Sequence, residues 1–314
     1  MTIANPMPTP FVTIVIPVHN RADIVGRTLD SVAAQTVRPL RVVLVDNNST
    51  DRTLEVLQQW QRRVDAPDFR VDVIEEKMPG ACAARNAGLA LVDTEWTMFF
   101  DSDDEMMPDH VQRALDTAAA YPDAGVIGWD SYWWLDGRRL PKRYGFTTRD
   151  MLYNNVFHSI FSTQRYMART SIFRAVGGWD ESTQIFDDAE LGNRILLRVN
   201  PKVAHVEGDV TIKVNVSRES IMNTPDGKLD RMRAGLDAIE RELPERCKHW
   251  VDLMRLLMAS TVCRRDAGAR DLAREVLARQ PWPRRLLWRI YRTYSLVGGR
   301  GVARINRLIT AGKI

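Results

Sequence analysis

Two groups of carboxylates carry the chemistry open to this chain. The first is Asp101, Asp103, Asp104 and Glu105, set directly behind the apolar run Trp96-Thr97-Met98-Phe99-Phe100. Apolar residues that seek burial, followed at once by acids that resist it, describe a buried strand delivering carboxylates to its C-terminal end. Such a strand end is a common place for a ligand or metal site in an α/β protein. The same residues suit an acidic turn capping the next helix, with Pro108 in its first turn. The second group, Asp187, Asp188 and Glu190, opens a helical pattern containing Leu191, Ile195 and Leu196. Acids at a helix start serve the helix dipole as readily as they serve proton transfer. A further acid, Asp46, ends the run Arg41-Val42-Val43-Leu44-Val45. Acids at the ends of two strands favour the ligand-site reading of the acidic turn.

The elements that must position these acids follow from hydrophobic period. Residues 11–16, 41–45, 71–74, 96–100 and 125–128 read as short buried strands rich in β-branched or aromatic residues. Between them lie helical patterns: Ile24, Val25, Leu29 and Val32; Leu54, Leu57 and Trp60; the small-residue stretch 81–91 carrying Arg85 and Asn86; and Val111, Leu115 and Ala118. Pro17 to Arg21 and Asn47 to Asp51 read as loops. Alternation of this kind predicts a mostly parallel sheet with helices on both faces, and ligands beyond the carboxyl ends of the strands. No GxGxxG follows the first strand and no GxxxxGK[ST] loop occurs, so the usual nicotinamide and phosphate-loop sites are excluded. The second half is less regular. Residues 129–140, rich in aromatics, read as a hairpin turning at Asp136-Gly137, either packed on the core or forming a wall for a flat-faced acceptor. Residues 203–206 and 210–214 read as two short strands, and His205 as a structural residue. Residues 231–242, 246–265 and 268–279 read as helices, and a domain boundary is expected near residue 225.

The chain has 314 residues, enough for one large domain or a domain plus an appendage, and at 45% hydrophobic and 27% charged its composition is that of a soluble globular protein. Cys82, Cys247 and Cys263 are too far apart for a disulfide framework or a CxxC metal site, which points to a reducing compartment. The net charge is only +4, but no acid follows Glu275, whereas Arg279, Arg284, Arg285, Arg289, Arg292, Arg300, Arg304, Arg307 and Lys313 do. Interleaved with Trp282, Leu286, Trp288, Ile290 and Tyr294, these cations suit an interfacial helix on an anionic membrane surface. They equally suit a helical subdomain with its aromatics turned inward and its arginines solvated. No apolar run reaches the roughly 18–20 residues of a membrane helix, and no signal-peptide pattern is present. The expected location is therefore the cytoplasm, peripheral on the inner face of the cell membrane. A nucleic-acid-binding protein is disfavoured because no reading motif accompanies the basic tail.

Several stretches, taken in order, resemble family 2 glycosyltransferases of the GT-A fold: Val12-Thr13-Ile14-Val15-Ile16-Pro17-Val18-His19-Asn20; Val43-Leu44-Val45-Asp46-Asn47-Asn48-Ser49-Thr50-Asp51; Gly80 with Ala84-Arg85-Asn86-Ala87-Gly88-Leu89; Phe99-Phe100-Asp101-Ser102-Asp103-Asp104; Gly177-Gly178-Trp179-Asp180-Glu181; and Phe186-Asp187-Asp188-Ala189-Glu190-Leu191. The resemblance covers residues 11–216 and leaves out the C-terminal third. It implies a GT-A domain over residues 1–225, with a nucleotide-binding half at 11–131 and an acceptor half at 132–225, followed by a basic helical region at 226–314. It implies an inverting, metal-dependent transferase that uses a nucleotide-diphosphate sugar, by default a UDP-sugar, and a glycan or lipid-linked acceptor in surface polysaccharide, lipopolysaccharide or glycolipid assembly. By motif position, Pro17 lines the nucleotide pocket, Asp46 contacts the base, Arg85 lies near the diphosphate, Asp101 contacts the ribose and Asp103 binds Mg²⁺ or Mn²⁺. Asp188 matches the family's general base, and Asp187 stands where Glu is more usual. Trp179 falls on the acceptor side or behind it. Asn215 occupies the position where many members have a histidine, with Lys213 nearby as a substitute charge.

These roles agree with elementary chemistry. A departing nucleoside diphosphate gathers negative charge, which a hard cation neutralises while keeping most of its waters, so one or two protein carboxylates suffice. The attacking hydroxyl needs a carboxylate within about 3 Å to take its proton. A nucleotide-sugar-binding protein of the same fold without turnover is the alternative, and the presence of both Asp103 and Asp188 argues against it. A nucleotidyltransferase on a similar sheet lacks its glycine-rich phosphate loop here.

Overall fold

The computed structural model describes residues 11–216, 227–297, 301–303 and 305–306. Its main sheet has seven strands: β1 (Val12–Val18), β2 (Leu40–Asp46), β3 (Phe69–Glu75), β4 (Trp96–Phe99), β6 (Ala124–Gly128), β9 (Tyr166–Arg169) and β10 (Lys202–His205), in the order β10-β6-β9-β4-β1-β2-β3. Strand β1 pairs in parallel with β2 and β4, and β2 with β3, whereas β9 runs antiparallel between β4 and β6. The first strand extends through Pro17 and Val18, residues expected in a loop. Proline is tolerated there because β4 pairs with β1 only as far as Val15, so the missing N–H removes no bond on that side.

Helices cover both faces, and the strands divide their side chains between them with period two. Ile14 and Ile16, Val42 and Leu44, and Met98 and Phe100 pack with α1 (Val25–Ala33), α2 (Thr53–Val64) and α4 (His110–Ala120). Val15, Val43, Val45 and Phe99 face the other way, against α3 (Ala81–Ala90), α6 (Thr170–Ala175) and α7 (Asp187–Arg194). Carried two residues past Phe99, that parity puts Asp101 on the α3 side. Helix α3 lies close to the sheet because its face is small: a Cβ on Gly88 would come within 2.3 Å of Val15 Cγ1. Arg85, one turn before Gly88, is thereby held beside the strand ends.

A second, four-stranded sheet has the order β5-β11-β7-β8, formed by β5 (Glu105–Met106), β7 (Ser131–Leu135), β8 (Arg138–Tyr144) and β11 (Ile212–Val216). Its hairpin turns at Asp136-Gly137 with φ of 49° and 75°, the doubly positive pattern of a two-residue hairpin. Helix α5 (Met151–His158) follows.

Four helices complete the described chain: α8 (Lys228–Glu242), α9 (Lys248–Ser260), α10 (Ala269–Ala278) and α11 (Trp282–Leu296). Leu236, Trp250, Val276 and Trp288 share an apolar cluster with Tyr153 and Val156 of α5 and with Ile185 and Ala189 at the start of α7. The backbone of α8 touches the segment before the second acidic group, where a Cβ on Gly235 would lie 2.1 Å from the Ile185 carbonyl oxygen. Apart from Gly227, the stretch around the expected boundary lies outside the described residues, as do Arg300, Arg304, Arg307 and Lys313. Among the described residues no helix is long and apolar enough to cross a membrane.

Candidate active site

The first part of the site forms where β1 and β2 end side by side, with Val18 in register with Asp46. Asp46 is buried, and one carboxylate oxygen accepts the Ser49 N–H at 3.2 Å. The other oxygen has no partner, which leaves a buried acceptor at the mouth of the sheet. Asn47 beside it bonds the carbonyls of Glu76 and Met78 and accepts the Gly80 N–H at 2.8 Å, so it fixes the loop into α3. Asn20 accepts the Thr50 N–H at 2.8 Å, and Asp51 accepts the Ala22 N–H at 3.2 Å. Pro17 therefore precedes a loop that is tied to the loop after Asp46.

The acidic turn is held from two directions. Arg27 and Thr28 of α1 donate to the carbonyls of Asp103 and Ser102, and Asn215 of β11 donates its side-chain amide to the Asp103 carbonyl at 2.8 Å. Asn215 also bonds Glu105 at 3.1 Å, and its backbone N–H bonds Asp104 at 2.8 Å. Lys213 pairs with Glu105 at 2.7 Å. Both amide hydrogens of Asn215 are thus spent on the turn itself, whereas Lys213 uses one of its three ammonium hydrogens there. Asp104 is buried and Glu105 is the ion-pair partner of β11, so neither one caps α4. Burial, then the charge on Asp101, pushes Asp103 above the ordinary carboxylate range, and Arg21 at 3.9 Å offsets this only in part. Burial, then Asp101 and Asp103, pushes Asp104 higher still. This under-neutralised donor set fits one divalent cation on Asp103, with Asp101 beside it. Among the described residues no cluster of three or more His, Cys, Asp or Glu forms a closed metal cage, and Mg²⁺ or Mn²⁺ bound next to a diphosphate needs none.

Arg85 joins this turn to the second acidic group. Its guanidinium donates to Asp101 at 3.0 Å and to Asp187 at 2.7 Å, and its carbon lies 4.4 Å from the centre of the Trp179 ring. Burial acts to lower the Arg85 pKa, but the two carboxylates carry it above its ordinary value. Trp179 is buried and held by Asn86, which accepts its N–H at 2.8 Å and donates to its carbonyl at 2.9 Å. Gly178, at φ +73°, is required there because a Cβ would meet the Asn86 side-chain oxygen at 2.5 Å. Trp179 therefore supports Arg85 from behind.

Asp188 is half-buried beside this pair, and its carboxylate accepts only the neighbouring Ala189 N–H, at 2.7 Å. Burial, then the adjacent Asp187 charge, pushes its pKa up to about 7. Arg85, Asp101, Asp187 and Asp188 line a cavity of about 670 Å³ whose other wall comes from β8, α5 and the segment 162–165. Pro17, Asp46 and Asp103 sit at or just beyond strand ends and do not line it. Trp133, from the stretch read as a candidate acceptor wall, lines it, whereas its Lys142, Arg143, His158 and Arg165 went unrecognised in the sequence. Arg143 and His205 both pair with Asp130. No local pattern marks these residues, because each is brought in by long-range packing.

A model described as Glycosyl transferase family 2 matches residues 13–173. The chain is 28% identical over 171 residues to the glycosyltransferase GlyA of Streptococcus pneumoniae, covering 54% of this chain and 23% of that one. It is 35% identical over 133 residues to the succinoglycan biosynthesis protein ExoO of Rhizobium meliloti, covering 42% and 36%. The chain thus spans well under half the length of these two relatives. Among solved structures it resembles S. aureus TarS bound to UDP-GlcNAc, with a TM-score of 0.64, 17% identity, and coverage of 85% of this chain and 79% of that one. It also resembles the mannosyltransferase PcManGT of Pyrobaculum calidifontis bound to GDP-Man and Mn²⁺, with a TM-score of 0.58, 19% identity, and coverage of 97% and 88%.

A raised pKa in the folded state means that folding is penalised as pH climbs from the ordinary carboxylate value of about 4 towards about 7. Replacing Asp188 by Asn removes that penalty. Thermal melting of Asp188→Asn should exceed that of the unaltered chain at pH 8, and the gap should shrink at pH 5. Equal or lower melting at pH 8 would show that Asp188 is not held above its ordinary range.

Proposed function

The chain belongs to glycosyl transferase family 2 and has the GT-A fold, and from that premise we propose that it transfers a sugar from a UDP-sugar, with inversion, to a hydroxyl of a glycan or lipid-linked acceptor. The reading rests above all on the juxtaposition that Arg85 enforces, with a strand-end acid on one side and the acidic pair of α7 on the other. Asp46, with its unpartnered oxygen, receives the base; Pro17 and the loop behind it flank the nucleotide; Asp101 meets the ribose. Asp103 holds the divalent cation, Mg²⁺ or Mn²⁺. When bound, that cation neutralises the charge developing on the departing diphosphate.

Asp188 takes the proton of the acceptor hydroxyl as the oxygen attacks the anomeric carbon, and the bond to the diphosphate breaks on the opposite face. A carboxylate near pKa 7 is well matched to this task, being about half ionised at neutral pH and basic enough to accept a proton. Arg85 keeps Asp187 neutralised, so that Asp188 is not pushed further up. The solved neighbours bound to UDP-GlcNAc, and to GDP-Man with Mn²⁺, support a nucleotide-sugar donor and a cation. The likeness to ExoO supports a place in polysaccharide assembly.

Helix α11 supplies the second partner, an anionic membrane surface. Trp288, Tyr291 and Ser295 are buried against the helical cluster. On the opposite side, Trp282, Leu286, Ile290 and Val297 are 72%, 50%, 59% and 79% exposed. At about 100° per residue they form one stripe about 80° wide. Arg285 and Arg289 border one edge of that stripe, with no acid after Glu275 to oppose them. An apolar stripe edged by arginine matches the interface of an anionic bilayer. The chain then works peripherally at the cytoplasmic face, where lipid-linked acceptors lie.

Four outcomes are expected. Asp188→Asn should lower UDP-sugar-dependent transfer by roughly 10²- to 10⁴-fold and leave UDP binding intact, while Asp103→Asn should lose Mn²⁺-dependent UDP binding. The unaltered chain should gain activity with rising pH, half-maximal near 7. Unchanged rates in both variants would remove both roles. In flotation with vesicles containing phosphatidylglycerol, the chain should rise with the lipid, and Leu286→Ser/Ile290→Ser should stay in solution. Equal flotation of the two would sink the membrane reading.

A further inference from the structure

Arg165 is 3% exposed, yet among the described residues it has no carboxylate within ion-pairing distance. Its side chain makes one hydrogen bond, to the Tyr144 carbonyl at 3.1 Å, and its buried Nε has no partner. The other buried arginines near the site are all matched: Arg85 with Asp101 and Asp187, and Arg194 with Glu190. Burial without a counter-ion lowers the Arg165 pKa to about 10, with Asp130 and Asp188 only partly offsetting it at longer range. A buried cation left in this state is costly unless something pairs with it.

Arg165 lines the same cavity as Asp188, in the segment 162–165 beside β8 and α5. Lys142 lines the cavity too, over the Tyr144 ring at 4.4 Å, and it has no ion-pair partner among the described residues. Asp46 and Asp103, assigned to the base and the cation, do not line this cavity, whereas Asp188, assigned to the acceptor hydroxyl, lines it together with Arg85 and Asp101. The missing counter-ion is therefore supplied from the acceptor side. Resting on the glycosyltransferase reading above, we propose that Arg165 binds an anionic group of the acceptor, a carboxylate or a phosphate close to the attacking hydroxyl. Its planar fork of donors suits either group, and Lys142 adds a second positive charge at the cavity wall. The acceptor class is thus an acidic sugar or a phosphate-linked glycan, not a neutral one.

The test uses the full chain with UDP and Mn²⁺ present, titrated by NMR with methyl β-D-glucuronide, D-glucose 1-phosphate and methyl β-D-glucoside. At least one of the two anions should bind about tenfold or more tightly than the neutral glucoside, and which of them does so identifies the source of the charge. Arg165→Gln should abolish that preference, Arg165→Lys should keep part of it, and UDP affinity should stay within about twofold in both. No preference in the unaltered chain overturns the proposal, as does a preference that survives in Arg165→Gln. A large loss of UDP affinity in Arg165→Gln also overturns it, because the guanidinium would then serve the donor diphosphate. Should UDP fail to bind any form, the glycosyltransferase reading is what fails, while the anion preference can still be read. If Arg165→Gln does not fold, the unaltered chain and Arg165→Lys still decide the matter.

Discussion

One guanidinium bridges two acids that lie far apart in the chain. Arg85 reaches Asp101 behind β4 with one nitrogen and Asp187 at the head of α7 with another, and it rests on the face of Trp179. A buried cation shared between two carboxylates cannot release either without leaving an uncompensated charge, so the strand end and the helix start are locked together. Asp187 is consumed in this contact. Asp188, the next residue, has only the Ala189 N–H, and burial leaves it close to neutrality in its titration. The division of labour between adjacent acids follows from which of them the arginine can reach.

The lock has supports on every side. Small residues let α3 approach the sheet closely enough to place Arg85, and the positive φ of Gly178 lets Asn86 clamp Trp179 beneath it. Arg194 forks onto Glu190 and donates to the Val176 and Gly178 carbonyls, so α7 is tied to the same turn. The C-terminal helices contribute as well. Helix α8 sits against Ile185, and the cluster it shares with α5 and α7 holds the segment that carries the acidic pair. Residues outside the family resemblance thus reach the site by packing, not by touching the cavity.

The parts of this arrangement set by local period were legible in the sequence. Continuous apolar runs ending in Asp46 and Asp101 foretold parallel strands with acids at their carboxyl ends, and the alternation of strands with helices foretold the sheet. Pro17 was misplaced because strand pairing, which decides whether a proline is tolerated, is not local. The bridge through Arg85 was not foreseen: the resemblance set Arg85 near the diphosphate, and nothing in the spacing of residues 85, 101 and 187 requires them to meet. Arg165 and Lys142 gave no signal at all, because an unpaired cation is defined by the neighbours that it lacks. For residues 281–313 the sequence left two readings open, inward aromatics or an interfacial face; α11 turns Trp288 and Tyr291 inward and leaves an exposed apolar stripe opposite.

The central claim is that Arg85 couples the donor side of the site to the base by neutralising the charge beside Asp188. The most direct measurement is the pH dependence of transfer in Arg85→Gln against the unaltered chain, at saturating donor. With the guanidinium gone, Asp187 is unpaired and opposes ionisation of Asp188, so the rising limb should move to higher pH as well as fall in height. A limb at the same pH and of the same height would contradict the account.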